Sequence, residues 1–301
     1  MDYKELYKDK NFGQILFDED IKNYTTFGIG GTADIMVKPT SMDELRDVLK
    51  FNYENKIETF VMGRGSNLLV SDKGIRGCVI LLADNFDQVE VRGDILTSLA
   101  GSPLGKAARV AIDNSLSGME EISGIPGSVG GACAMNAGAY GGEIKDIAIK
   151  IEAFDYQGNL HEFSNEQMHF AYRHSRVFEE NLIVARASFK LREGDKDEIL
   201  EKFNDYTERR TTKQPLDRKS AGSTFKRPEG SFASKLIDEC GLRAYRIGDC
   251  QVSEKHCGFI INVDKASCAD MIDFINKVSD IVYEKTGFKL EREVKLVGDF
   301  S

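Results

Sequence analysis

Residues 124–142 read Gly-Ile-Pro-Gly-Ser-Val-Gly-Gly-Ala-Cys-Ala-Met-Asn-Ala-Gly-Ala-Tyr-Gly-Gly, with seven glycines, four alanines and no charge. Neither a stable helix nor a packed strand favours that composition, because each glycine in a regular element costs about 0.5–1 kcal/mol relative to alanine. It suits a backbone that something must approach closely. Consecutive N–H groups in such turns form a concave nest that holds an anion without a basic side chain, and small residues let a flat cofactor lie against the chain. A tight glycine corner between strands would use the same residues, so a second segment is needed to decide.

That segment is Gly63-Arg64-Gly65-Ser66-Asn67, placed between the apolar runs 57–62 and Leu68-Leu69-Val70. Strand, polar glycine loop and strand follow one another. Gly28-Ile29-Gly30-Gly31 adds a third cluster. None of the three fits a dinucleotide fingerprint, which should open a helix and be followed by an acidic residue about 20 positions on. There is no G-x-x-x-x-G-K-[ST] either. A nucleotide, if these glycines serve one rather than tight corners, is therefore expected on separate loops of a scaffold that is neither Rossmann nor P-loop.

At 301 residues and 41% apolar content, the chain can bury a large core and is expected to form more than one domain. A net charge of −9 leaves no footprint for nucleic acid. No apolar run approaches the ~20 residues needed to span a bilayer, and Met-Asp-Tyr-Lys-Glu at the start is no signal peptide, so a cytoplasmic protein without membrane partner is expected. Six cysteines at 78, 133, 240, 250, 257 and 268 contain no C-x-x-C pair. Neither a metal site nor a disulfide framework follows from them.

Helices and strands alternate along the chain. Ser41-Met-Asp-Glu44 is a capping box for a helix to about Asn55, with Leu45, Val48 and Leu49 on one face. Ser102 and Pro103 are expected as cap and first residue of a second helix, through Ile112. Strands are expected at 78–82, 89–91, 95–100, 147–154, 160–163 and 182–191. A charged helix, 197–211, ends before Pro215 and marks the candidate linker to a second, smaller domain. Beyond it come a helix from Ser231 closed by Gly241, a strand at 258–263, a helix 267–285 closed by Gly287, and a strand at 288–297.

Three polar motifs interrupt this scaffold. Tyr172-Arg173-His174-Ser175-Arg176 follows a capping box at Ser164-Asn-Glu-Gln167 and reads equally as a solvated helix end. Ala221-Gly222-Ser223-Thr224-Phe225-Lys226-Arg227-Pro228 puts two hydroxyls in a turn that could be an ordinary loop. Glu291-Arg292-Glu293 lies in the last expected strand, where alternation alone assigns Glu293 to the solvent face.

In this order, Thr26-Phe-Gly-Ile-Gly-Gly31, Gly63-Arg-Gly-Ser-Asn-Leu-Leu69, Gly124-Ile-Pro-Gly-Ser-Val-Gly-Gly131, Asn136-Ala-Gly-Ala-Tyr-Gly141, Tyr172-Arg173-x-Ser175, Ala221-Gly-Ser-Thr-Phe-Lys226 and Leu290-Glu-x-Glu-Val294 resemble the UDP-N-acetylenolpyruvoylglucosamine reductases of bacterial cell-wall synthesis. Each motif alone is weakly specific; seven in order cover nearly the whole chain. The resemblance implies an α+β fold, the two-lobed FAD-binding fold shared with vanillyl-alcohol oxidase and p-cresol methylhydroxylase, followed by a smaller α+β substrate domain. The expected division is 1–205, with lobes of about 1–78 and 79–205, and 206–301.

The same resemblance implies that NADPH reduces a non-covalent FAD, and that UDP-N-acetylglucosamine enolpyruvate is then reduced to UDP-N-acetylmuramate for peptidoglycan, and through it for cell-wall biogenesis, cell shape and division. Gly63, Arg64, Gly65, Ser66, Asn67, Gly127, Ser128, Gly130, Gly131, Asn136 and Gly138 are then expected at FAD. Arg173 is expected to stabilise the enolate, Glu293 to assist it as a protonated acid, and Ser223 to donate the proton. Tyr172 and Lys226 are expected near the substrate diphosphate. Many relatives have asparagine where this chain has Arg227, which would bring a stronger charge to that contact. His256, in Val252-Ser-Glu-Lys-His-Cys-Gly-Phe259, matches a segment near the substrate pocket and reads equally as structural. The segment 174–222 has no room for the tyrosine-bearing insertion of the longer form of the family, so this chain resembles the shorter form.

Two other readings use the same features. A sugar or alcohol oxidase of this fold often tethers its flavin to a histidine in the FAD lobe, whereas the first histidine here is His161, beyond all the glycine loops. An oxidase also needs a base rather than the donors Arg173, Ser223 and Glu293. A nucleotide-binding protein without catalysis would not bleach with NADPH.

Overall fold

Capped helices and short apolar strands alternate through residues 3–83 and 85–301, which the computed structural model describes. The Ser41 hydroxyl accepts the Glu44 N–H at 3.2 Å and opens the helix Met42–Glu54. Ser267 and Asp270 cap each other's backbone at the start of the helix Cys268–Thr286, which stops where Gly287 turns left-handed at φ 75°. Both ends are where the sequence puts them, because cap and stop are local chemistry.

The chain divides into two compact units. The first takes the chain up to Phe17, Asp34–Arg64 and Gly77–Arg210. Its largest sheet has the strand order Leu160–Ser164, Ala148–Phe154, Ile183–Lys190, Ile95–Leu99, Val89–Arg92, antiparallel throughout. Ile151, Ala187, Phe189 and Leu96 of this sheet share one core with Leu104, Ala107 and Ala111 of the helix Leu104–Asp113. A second sheet, ordered Gln14–Asp20, Thr32–Lys38, Ile75–Leu81, Thr59–Met62, reaches the same core through Ile35, Val37, Cys78 and Ile80. Leu45, Val48 and Leu49 of the helix Met42–Glu54 complete it, as their spacing predicts.

The second unit comprises Asp18–Ala33, Gly65–Arg76 and Thr211–Ser301. Its core gathers Met271, Phe274, Ile275 and Val278 of the long helix, Leu236 and Ile237 of the helix Ala233–Glu239, and Val252 and Ile260 of a three-stranded sheet. Leu68–Val70 pairs in parallel with Lys295–Val297, and Phe27, Ile29 and Leu69 join this core. For that reason 18–33 and 65–76, expected within 1–205, cluster with the C-terminal segment.

Three local expectations differ from the structure. The glycine-rich stretch contains a helix, Val129–Ala134, whose Gly130 N–H donates to the Ala100 carbonyl at 2.8 Å. A Cβ on Gly130 would lie 2.7 Å from that of Ala100, so close packing repays the poor helix propensity. Ser102 does not cap the helix Leu104–Asp113; its hydroxyl donates to the Gln88 carbonyl and Pro103 stands at the cap. The last strand is only Lys295–Val297, because Arg292 and Glu293 pair elsewhere.

Candidate active site

In the first unit the strand Thr59–Met62 runs into Gly63, and a Cβ there would sit 2.2 Å from the Ser128 hydroxyl oxygen. Two of the loops expected at the cofactor thus meet, and only a residue without a side chain allows it. The 127–131 loop is fastened by its own backbone. Leu104 N–H donates to Gly127 O at 3.1 Å, Val129 N–H to Ser102 O at 2.9 Å, and Gly131 N–H to the Ser128 hydroxyl at 3.4 Å. Gly127 has φ 149°, which favours glycine. Gly131 is exposed, and a Cβ on it would make only ordinary contact with Ser128 at 3.5 Å. Among these residues the exposed Gly131 leaves backbone that a flat, anionic cofactor could approach, whereas Ser128 is buried, with its hydroxyl against Gly63 and accepting the Gly131 N–H. Gly65, Ser66 and Asn67 belong to the second unit, where Gly65 O accepts the Thr26 N–H at 3.4 Å.

Asn136 and Gly138 build the support of Tyr172 and Arg173. Buried Asn136 donates to Glu143 Oε2 at 2.9 Å and to Ala171 O at 3.2 Å, while its own oxygen accepts the Lys145 N–H. Gly138 pairs with Glu143. Ala171 and His174 exchange backbone hydrogen bonds of 3.1 and 3.2 Å around the Tyr172-Arg173 turn. Arg173 is left-handed at φ 55°, a conformation that costs a non-glycine residue about 1–3 kcal/mol unless its surroundings enforce it. They do so here through Asn136 and through buried Ser175, whose hydroxyl donates to Ala134 O at 2.8 Å. The half-buried guanidinium lies 5.0 Å over the Tyr172 ring. Glu143 is held below the usual carboxylate range by the hydrogen bond from Lys145, with Asn136 and the charge of Arg173 adding to it.

The second unit brings Ser223, Lys226 and Glu293 onto adjoining extended segments. Ser223 pairs with Phe259 and Phe225 with Arg292. Glu293 N–H donates to Thr224 O at 2.9 Å and Lys226 N–H to Glu291 O at 2.8 Å. Buried Thr224 accepts the Ile260 N–H at 3.1 Å, which leaves the neighbouring Ser223 exposed. Asn67 donates to the Glu293 carbonyl at 3.4 Å and accepts the Lys295 N–H at 2.9 Å, so one end of the 63–67 loop is tied to the Glu293 segment. Lys226 is ion-paired to Glu291, and the Arg227 guanidinium lies 4.0 Å over Phe232.

His256 sits in the turn before Phe259, the partner of Ser223. Its Nδ1 accepts the Gly258 N–H at 3.1 Å, and its ring meets Phe259 edge-on at 5.1 Å. Burial pushes its pKa below the ordinary histidine value, and the charge of Arg243 acts in the same direction. These contacts give it a structural task. Glu143, Lys145 and Phe232, which support Arg173 and Arg227, carry no motif in the sequence. Among the described residues no cluster could hold a metal ion, and no helix is long and apolar enough to cross a membrane.

Residues 33–164 match the family model of an FAD binding domain, and residues 214–297 that of the UDP-N-acetylenolpyruvoylglucosamine reductase C-terminal domain. The chain is 48% identical over 285 residues to the UDP-N-acetylenolpyruvoylglucosamine reductase of Clostridioides difficile (strain 630), covering 95% of this chain and 94% of that protein. It is 43% identical over 286 residues to the reductase of Staphylococcus aureus (strain COL), covering 95% and 93%. The solved structure of the Thermus caldophilus reductase superposes with a TM-score of 0.80 at 36% identity, covering 94% of this chain and 98% of that one. On identity, coverage and fold together, the chain belongs to the UDP-N-acetylenolpyruvoylglucosamine reductases.

Proposed function

We propose that this chain reduces UDP-N-acetylglucosamine enolpyruvate to UDP-N-acetylmuramate, consuming one NADPH and one proton, in the cytoplasmic synthesis of peptidoglycan precursor. The observation that carries the reading is 48% identity to a reductase of that name over 95% of the chain, on an FAD-binding domain. A reducing compartment fits the six cysteines, all free and buried. FAD, when bound, supplies the acceptor for the hydride of NADPH and the donor of hydride to the methylene carbon of the substrate. Gly63, Arg64, Gly65, Ser66, Asn67, Gly127, Ser128 and Gly131 would hold it without a covalent bond. Gly130 would contribute by packing, since its N–H is already given to Ala100.

Hydride addition pushes the double-bond electrons onto the adjacent carbon and its carboxylate. Arg173 offers that carboxylate a planar, permanently charged fork, held ready by an enforced turn. Ser223, exposed on its segment, would give its proton to the carbon and recover one from water. Glu293 can assist the anion only in its protonated form, because a second negative charge would repel it. Lys226 and Arg227 would bind the diphosphate, with Tyr172 near it, and His256 would shape the turn behind Ser223. The test is anaerobic: NADPH should bleach the yellow protein, and the enolpyruvyl nucleotide should restore the colour with formation of the lactyl product. Recolouring by oxygen but not by this nucleotide would overturn the reading.

A further inference from the structure

Phe232 is 51% exposed, and since single exposed apolar side chains are ordinary, a task for its ring must come from its surroundings. Its surroundings define one. After Arg227 the chain reverses through Pro228-Glu229-Gly230-Ser231, closed by the Ser231 N–H to Pro228 O at 3.3 Å, with Gly230 left-handed at φ 75°. The reversal returns Phe232 to the cap of the helix Ala233–Glu239, where its carbonyl accepts the Leu236 N–H at 3.1 Å. That helix is anchored by Ala233, Leu236 and Ile237 in the second core. The backbone of Phe232 is thereby fixed while its ring stays outside, under the Arg227 guanidinium at 4.0 Å. The preceding residue, Lys226, is held by its ion pair with Glu291.

We propose that Phe232 is a positioning residue for substrate affinity: its ring is the platform that holds the Arg227 guanidinium, 4.0 Å away, in place for the diphosphate of the nucleotide substrate. The inference rests on the proposed diphosphate role of Lys226 and Arg227. An arginine held on an aromatic face loses less freedom when it binds than one that must first be ordered.

The test is steady-state kinetics on the FAD-loaded protein with the enolpyruvyl nucleotide varied. Arg227→Ala should raise KM about 10- to 100-fold, the scale of charge-assisted hydrogen bonds. Phe232→Leu should raise KM about threefold to fivefold with kcat and Tm unchanged, because a leucine fills the space without a π face. Phe232→Trp should restore the wild-type KM. The double variant Arg227→Ala/Phe232→Leu should be no worse than Arg227→Ala alone. If Arg227→Ala raises KM while Phe232→Leu does not, the platform is overturned and the diphosphate reading stands. If Arg227→Ala leaves KM unchanged, both fall. A Phe232→Trp variant as impaired as Phe232→Leu overturns the platform as well.

Discussion

In the loop 127–131 the main fastenings come from the backbone: Gly127 O, Val129 N–H and Gly130 N–H each have a main-chain partner, and glycines let Gly63 and Ala100 come close. In the segment 223–227 the backbone ladder only sets the register, while side chains carry the specific contacts, with Lys226 on Glu291 and Arg227 on Phe232. On the proposed function the first region would recognise by shape and the second by functional groups. Substitutions should therefore fail differently. In the loop an added methyl group either fits or empties the site, whereas in the segment each side chain should govern one property of one half-reaction.

The largest effect is expected where shape is tightest. Gly130→Val would force its side chain into Ala100, costing about 1–3 kcal/mol of stability, and the purified protein should lack flavin and melt at lower temperature. Gly131→Ala sharpens the contrast, since the protein itself has room there: its Tm should match wild type, and any loss of flavin then reports the cofactor's own approach. Undiminished flavin in Gly130→Val would show that the loop is not part of the site.

Arg173 combines both means, a functional group on an enforced turn. Arg173→Lys should keep its flavin and lower kcat/KM for the enolpyruvyl nucleotide by about 10- to 100-fold, because a point charge cannot reproduce a bidentate fork. Wild-type kinetics in this variant would return Arg173 to a solvated turn residue. The smallest effect concerns His256, whose pKa is lowered by burial. Below the unfolded value of about 6.5 the unfolded chain binds the proton that the folded one refuses, so stability should fall as pH drops through that value toward the folded pKa. His256→Gln keeps an acceptor for the Gly258 N–H, and its Tm should depend less on pH between about 5 and 7. An unchanged slope would contradict a lowered pKa at the half-buried His256.

Much of the fold was legible where it is written locally. Ser41, Ser267 and Gly287 delimit helices by caps, and Leu45, Val48 and Leu49 face the core as their spacing requires. The misreadings have long-range causes. The helix Val129–Ala134 exists because Ala100 accepts Gly130 at close range, and the parallel pairing of Leu68–Val70 with Lys295–Val297 joins residues more than two hundred positions apart. The family resemblance, not the polar motifs alone, proposed Arg173, Ser223 and Glu293, and nothing in the sequence disclosed that Asn136 would brace the arginine turn or that Phe232 would lie under Arg227. Supports of this kind depend on which segments meet, and spacing along the chain does not encode that.

The division between shape and functional group is tested most directly by separating the half-reactions of Ser223→Ala. The variant should bind FAD fully and bleach with NADPH at near the wild-type rate. Anaerobic recolouring by the enolpyruvyl nucleotide should slow by about 10²–10⁴-fold, the usual cost of a lost general acid. Equal loss of both half-reactions, or recolouring at the wild-type rate, would contradict the assignment of Ser223 as the proton donor and with it the separation of roles between the two regions.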